Sequence, residues 1–258
     1  MIDYDHIAAI YDLYVTAEYD VAFFVAETAE VEGPVLELTA GTGRLSLPLV
    51  EAGVELTCVD RSRGMLDVLS RKLEERGLHA DVRCADVCDL ALPARFGLAI
   101  LPFQSFMEIV GDGPQRAALA AVHGCLAPGG RFICTLHNPA VRRAQVDERL
   151  RVVGRFPTPD GTLVVSGFEQ GGDPVVTRLQ YFESFDAGGH LRHKRLLPME
   201  FAFVERDEFA SMAEASGFRV VELYGDYDRT PFEPEHSPVM IWVLEKRGGG
   251  PAAAGNAP

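Results

Sequence analysis

Between residue 34 and about residue 137 short apolar runs alternate with longer amphipathic ones, a strand period giving way each time to a helical period. The predicted strands are PVLEL (34–38), VELTCVD (54–60), ADVRCAD (80–86), LAILPF (98–103) and GRFICTLH (130–137). Between them RLSLPLVEAG, SRGMLDVLSRKLEERG and GPQRAALAAVHGCLAPGG read as helices, the second with Ser62 as N-cap and Gly77 as its stop. Strands spaced by helices in this way predict a doubly wound parallel α/β sheet, whose ligands sit at the carboxyl ends of the strands. One or two helices precede the unit, over residues 4–16 and 18–30.

After the fifth strand the pattern changes to period two. TLVVSGFEQ, VVTRLQYFESF and KRLLPMEFAFVE, with GGDP and DAGGH as turns, predict an antiparallel meander within 151–205. A helix over 206–216 and the strands FRVVELY and VMIWVLEK follow, then a Gly/Ala/Pro tail. The division is a helical lid (1–33), a core (34–138 and 206–247), an inserted antiparallel β subdomain covering the substrate (139–205) and a disordered tail (248–258).

Composition removes several functions. A formal net charge of −14 opposes binding to nucleic acid or an anionic membrane. No apolar run approaches the roughly 20 residues of a membrane span, and MIDYDHIAAIYDLY lacks the design of a signal peptide, so the expected location is the cytoplasm. The five cysteines are scattered; Cys58, Cys84 and Cys134 fall in strands as small hydrophobes. Cys84 and Cys88 lack a second Cys/His pair, so no metal site is expected.

The turn Gly41-Thr42-Gly43-Arg44-Leu45-Ser46 has serine where the dinucleotide fingerprint asks for a third glycine, which weakens an NAD reading. Glu37 stands inside an apolar strand four residues earlier, where an acid is costly unless compensated; a ligand's ammonium group would compensate it. Asp60 ends the second strand, suited to ribose hydroxyls, and Asp86 ends the third, within reach of an adenine amine. Either aspartate alone could equally be a turn-former or cap.

LELTAGTGRLSLPL, VDRSRGMLDVL, CADVCDL and LAPGGRFI together resemble the successive motifs of class I S-adenosylmethionine-dependent methyltransferases. The resemblance implies a seven-stranded sheet, mostly parallel with the last strand antiparallel, and S-adenosylmethionine as cofactor. It implies that Glu37, Ala40, Gly41 and Gly43 line the methionine portion and that Asp60, with Arg61 beside it, holds the ribose. Met65 would cover the adenine face, Asp86 and Val87 its edge, with Leu101, Pro102 and Phe103 at the methyl-facing loop and Tyr14 a further contact. The YDxxY-type amino terminus and the β insertion are similar to small-molecule methyltransferases of the aminosugar and glycine N-methylating kinds, where these parts are lid and substrate cover. Tyr11, Asp12 and Tyr14 would serve the lid; LHNP (136–139) lacks the aromatic pair associated with the aminosugar enzymes.

Methyl transfer from a sulfonium is an in-line displacement needing alignment, a partly dry cavity and, for some acceptors, a base. Strand ends four and five present Gln104, Ser105, His137 and Asn138, and the loop 225–238 presents Tyr227, Asp228, Arg229 and His236. His137 is the first choice as general base, with local hydrogen bonding as its equal alternative, and Gln104 and Tyr14 complete the catalytic candidates. Tyr11, Ser105, Asn138, Tyr227, Arg229 and His236 are the substrate candidates, while His190 and His193 flank a Gly-Gly turn and read as solvent-exposed. An amine acceptor would need no base. The favoured function is N- or O-methylation of a small molecule in specialised metabolism, with a homodimer open to it. A cofactor-binding protein or cyclase without methyl transfer stays open, as do a macromolecular methyltransferase and an NAD-dependent oxidoreductase.

Overall fold

The computed structural model describes residues 2–93, 95–171 and 173–247. Seven strands form the main sheet: β1 (Val35–Leu38), β2 (Leu56–Asp60), β3 (Asp81–Cys84), β4 (Phe96–Leu101), β5 (Leu126–His137), β10 (Phe218–Tyr224) and β11 (Val239–Lys246). Their order is β10-β11-β5-β4-β1-β2-β3. β1 pairs in parallel with β2 and β4, while β11 runs antiparallel to both β5 and β10. Strand order reverses between β1 and β4, which opens a crevice at the carboxyl ends of these strands.

Helices cover both faces. Leu36, Leu38, Ala99, Leu101 and Phe132 share one core with Leu119 of α5 (Asp112–Cys125) and Phe209 of α7 (Arg206–Ala215). Val35, Leu98, Ile100 and Cys58 share the other with Phe24 of α2 (Val21–Ala29), Leu49 of α3 (Ser46–Glu51) and Leu69 of α4 (Arg63–Arg76). Burial on both faces is why β1 reads as an unbroken apolar run apart from Glu37. Helix α4 has the expected ends: the Ser62 hydroxyl accepts from Met65 N, and Gly77 closes it in the left-handed region.

The insertion is a separate antiparallel sheet, β6-β7-β8-β9, formed by Arg151–Thr158, Gly161–Gly171, Val175–Asp186 and Leu191–Ala202. Its first strand gave no apolar alternation because it is a solvent-exposed edge, with Val152 and Val153 66% and 55% exposed. Leu163, Val165 and Phe182 of this sheet share a third core with Ile2, Ile7 and Ala8 of the amino-terminal segment and Met65 of α4. That segment is a 3₁₀ turn (Asp5–Ile7) followed by α1 (Ala8–Tyr14), rather than one helix over 4–16. The expected disordered tail, 248–258, lies outside the described residues. Among the described residues no helix is long and apolar enough to cross a membrane, and no cluster of three His, Cys, Asp or Glu is grouped to hold a metal.

The two glycines of the β1–α3 turn have different tasks. Gly43 (φ +89°) lets α4 approach, since a Cβ there would lie 2.4 Å from Leu69 Cδ1. Gly41 (φ +58°) has open space where its Cβ would be. Gly43→Ala should therefore cost roughly 2–3 kcal/mol in urea unfolding, against about 1 kcal/mol for Gly41→Ala.

Candidate active site

A cavity of about 1080 Å³ opens at the carboxyl ends of β1 to β5 and is roofed by the amino-terminal segment, β8 and β9. At one end, Asp60 Oδ2 accepts from Gly41 N and Oδ1 from Ser62 N, both at 2.8 Å. The carboxylate thus joins the turn after β1 to the turn after β2. Burial raises its pKa, opposed by these amide hydrogen bonds. Asp86 lines the same end while accepting from Cys88 N at 2.8 Å, so it is cap and cavity wall at once. Arg61, Met65 and Val87 also line it, with Arg61 Nη2 donating to Ile2 O at 3.0 Å.

The strand ends are held in a sparsely populated conformation. Thr39 after β1, and Phe103 and Gln104 after β4, have φ of 56°, 58° and 60°, and all three line the cavity. Such backbone persists where its surroundings over-determine it, as they do at functional sites. Gln104 N donates to Thr135 Oγ1 at 3.1 Å and Gln104 Nε2 to Tyr227 Oη at 3.2 Å. Arg44 stacks over Phe103 at 4.6 Å while gripping Asp20 at 2.5 and 2.7 Å.

Glu37 lies elsewhere than expected. It is 1% exposed, does not line the cavity, and accepts from Ser46 Oγ at 2.6 Å. Its β1 position aims it into the apolar core between Cys58 and Ile100. Burial pushes its carboxyl up to about 8, so it is chiefly protonated at neutral pH. The serine in the place of a third glycine is therefore the hydrogen-bond partner of this acid. Ala40 and Gly43 are likewise behind the wall, and Leu101 is fully buried in the core.

The amino-terminal segment is fastened at several points. Asp5 Oδ1 accepts from Ser62 Oγ at 2.5 Å and from Gly64 N at 2.9 Å at the start of α4. Asp12 accepts from Thr42 Oγ1 at 2.6 Å and meets Lys72 Nζ at 2.5 Å. Tyr11 and Tyr14 line the cavity, and Tyr14 packs on Phe182 of β8 with ring centroids 5.2 Å apart.

Ser105 and His137 line the other end. The imidazole is held down at about 4 by burial, then by the charges of Arg142 and Arg178, so it is neutral at pH 7. The remaining expected substrate contacts are engaged elsewhere. Asn138 caps the short helix α6 (Pro139–Arg142) through Ala140 N and donates to the carbonyls of Pro234 and Ser237. Arg229 pairs with Glu27 at 2.8 Å, Tyr227 packs among Phe23, Phe24 and Tyr19, and His236 is exposed in its loop.

Among the cavity residues not found from sequence, Glu108 and Arg178 carry charge into the site. Glu108, on the 3₁₀ turn after β4, accepts from Tyr4 Oη at 2.8 Å. Its signal was an acid within the apolar run FMEIV, the same kind of signal as Glu37. Arg178 of β8 lines the cavity from the inserted sheet, and nothing in its local sequence distinguishes it from its neighbours.

Residues 35–130 match the family described as methyltransferase domain. The chain is 33% identical over 224 residues to a cypemycin N-terminal methyltransferase of a Streptomyces species, covering 83% of each. It is 28% identical over 214 residues to a glycine/sarcosine N-methyltransferase of Parasynechococcus marenigrum, covering 82% of this chain and 71% of that one. Among solved structures, the CcbJ methyltransferase of Streptomyces caelestis superposes with a TM-score of 0.78 at 24% identity, covering 94% and 96% of the two chains.

Because the folded pKa of Glu37 is raised above the unfolded 4.5, its contribution is fully present below 4.5 and lost as pH rises through about 8. Glu37→Gln should therefore gain stability over the parent between about pH 5 and 8, by on the order of 3 kcal/mol, in denaturant unfolding at each pH.

Proposed function

The chain belongs to the class I S-adenosylmethionine-dependent methyltransferases, and from that premise we propose that it methylates an amine nitrogen of a small molecule. The residues present suit the cofactor. Gly41 leaves open space at the turn, and each Asp60 oxygen already accepts one amide hydrogen, leaving acceptor positions for ribose hydroxyls. Met65 and Val87 supply an apolar wall for the adenine, with Asp86 at its edge. When bound, S-adenosylmethionine supplies an electrophilic methyl group on a sulfonium.

The observation that carries the amine reading is Glu108. Its carboxyl is half-buried in the cavity wall, forms no ion pair among the described residues, and is pushed above the usual carboxylate range by burial, against the opposing charges of Arg61 and Arg178. Arg61 and Arg178 act on this acid without touching it, and a substrate ammonium would be its first direct cation. Glu108 Oε2, the oxygen that Tyr4 leaves free, would take the ammonium proton and leave the nitrogen lone pair free to attack. His137 is too weak a base at about 4 to activate a hydroxyl, but its neutral ring can hydrogen-bond the acceptor. One curated relative is named a glycine/sarcosine N-methyltransferase, and another is named for the N-terminus of cypemycin, which supports an amine acceptor. In this reading residues 1–33 act as the lid and 139–205 as the substrate cover, excluding water from the transfer.

Incubation with methyl-labelled cofactor and a pool of bacterial metabolites, followed by mass spectrometry, should yield a product labelled on nitrogen. A product labelled on oxygen, or cofactor binding with no product, rejects the reading. Glu108→Gln should lower kcat/KM about a hundredfold and remove the rise in rate with pH, while the dissociation constant for S-adenosylhomocysteine stays constant. Asp60→Ala should do the opposite, weakening cofactor binding by about 2 kcal/mol in calorimetric titration.

A further inference from the structure

Along the sheet, the acids at the ends of β2 and β3 and the turn after β1 lie on one side of the switch point, and His137 at the end of β5 lies on the other. The β5 side carries charge of opposite sign. Arg178 lines the cavity there, and its Nε donates to Glu169 Oε1 at 2.6 Å. The same carboxylate takes Arg142 Nη2 on both oxygens at 2.5 Å. Arg142 is 6% exposed, and its Nη1 has no hydrogen-bond partner among the described residues. Glu169 is held below the usual carboxylate range, burial being outweighed by the Arg142 hydrogen bond and the two guanidinium charges. One ionised carboxylate therefore serves two guanidiniums in direct contact, while Glu108 acts on Arg178 without touching it. Burial lowers the nearby His137 imidazole first, and the charges of Arg142 and Arg178 add to it.

Arg178 is also fixed in place. Its guanidinium carbon lies 5.4 Å from the centroid of Phe201, as does that of Arg142. Glu169 engages Nε and Nη2, whereas Nη1 has no partner among the described residues. A guanidinium held on one edge, with its other edge on a cavity, suits an oxyanion, because little ordering remains to be paid when one binds. Glu108, which no cation among the described residues contacts directly, lines the same cavity.

We infer that Arg178, held by Glu169 and backed by Arg142, receives a carboxylate or phosphate of the substrate, so that the molecule methylated carries an acidic group as well as its amine. The amine half rests on the function proposed above; the acidic half rests on Arg178 alone.

The test uses the full chain with methyl-labelled S-adenosylmethionine and bacterial metabolites, the labelled products being separated by anion exchange and fragmented. An N-methylated product bearing a carboxylate or phosphate is expected, and fragmentation tells the two apart. With that product's precursor, Arg178→Gln should raise KM about tenfold or more with kcat little changed, and Arg178→Lys should recover part of the loss. The melting temperature and the affinity for S-adenosylhomocysteine should match the parent in both variants. An N-methylated product without an acidic group overturns the inference and leaves the amine reading standing. An acidic product methylated on oxygen does the reverse. An unchanged KM in Arg178→Gln overturns it, as does a loss of S-adenosylhomocysteine affinity, which would assign Arg178 to the cofactor's own carboxylate. Absence of any labelled product overturns both.

Discussion

A single carboxylate at the end of β2 fixes the geometry on which the cavity depends. Asp60 accepts one backbone amide from the glycine turn after β1 and one from the start of α4. Two strand-to-helix connections that would otherwise be independent are thereby locked to each other. The neighbouring attachments use the same two places: Asp5 reaches Ser62 and Gly64, and Asp12 reaches Thr42 and Lys72. The amino-terminal segment is therefore referenced to the same junction as the turn it covers. Charge-assisted hydrogen bonds to backbone amides supply this rigidity without long side chains that would have to be ordered.

The distribution of charge inside the cavity is unlike that of the whole chain. A net charge of −14 describes the average surface, yet the cavity wall has an acid in contact with no cation at Glu108 and, at Arg178 backed by Arg142, two guanidiniums sharing one carboxylate. Isolated buried charges are expensive, and each persists here beside only partial compensation. Tyr4 gives Glu108 a hydrogen bond but no charge, and Glu169 gives the arginine pair one negative charge for two positive ones. Such incompleteness is an expected property of a wall built to meet a polar molecule.

The strands β1 to β5 were legible because a sheet covered on both faces writes continuous apolar runs, and Asp60 and Asp86 were legible because strand ends interrupt those runs. Glu37 was visible as an anomaly, but its meaning depended on Ser46 nine residues later; the two together read as a buried hydrogen-bonded pair. Asn138 and Arg229 looked available only because their partners, the carbonyls near Pro234 and the carboxylate of Glu27, are distant in sequence. Arg178 was hidden for the converse reason. It belongs to an alternating strand in which polar residues are normal, and only the docking of that strand over β5 gives it a position.

The third hydrophobic core has a kinetic meaning. Ile2, Ile7 and Ala8 are buried together with Leu163, Val165 and Phe182, so the amino-terminal segment and the inserted sheet cannot separate without exposing shared apolar surface. Were these two parts to move as lid and cover, the one shared core would tie an exit past the segment and an exit past the sheet to the same opening.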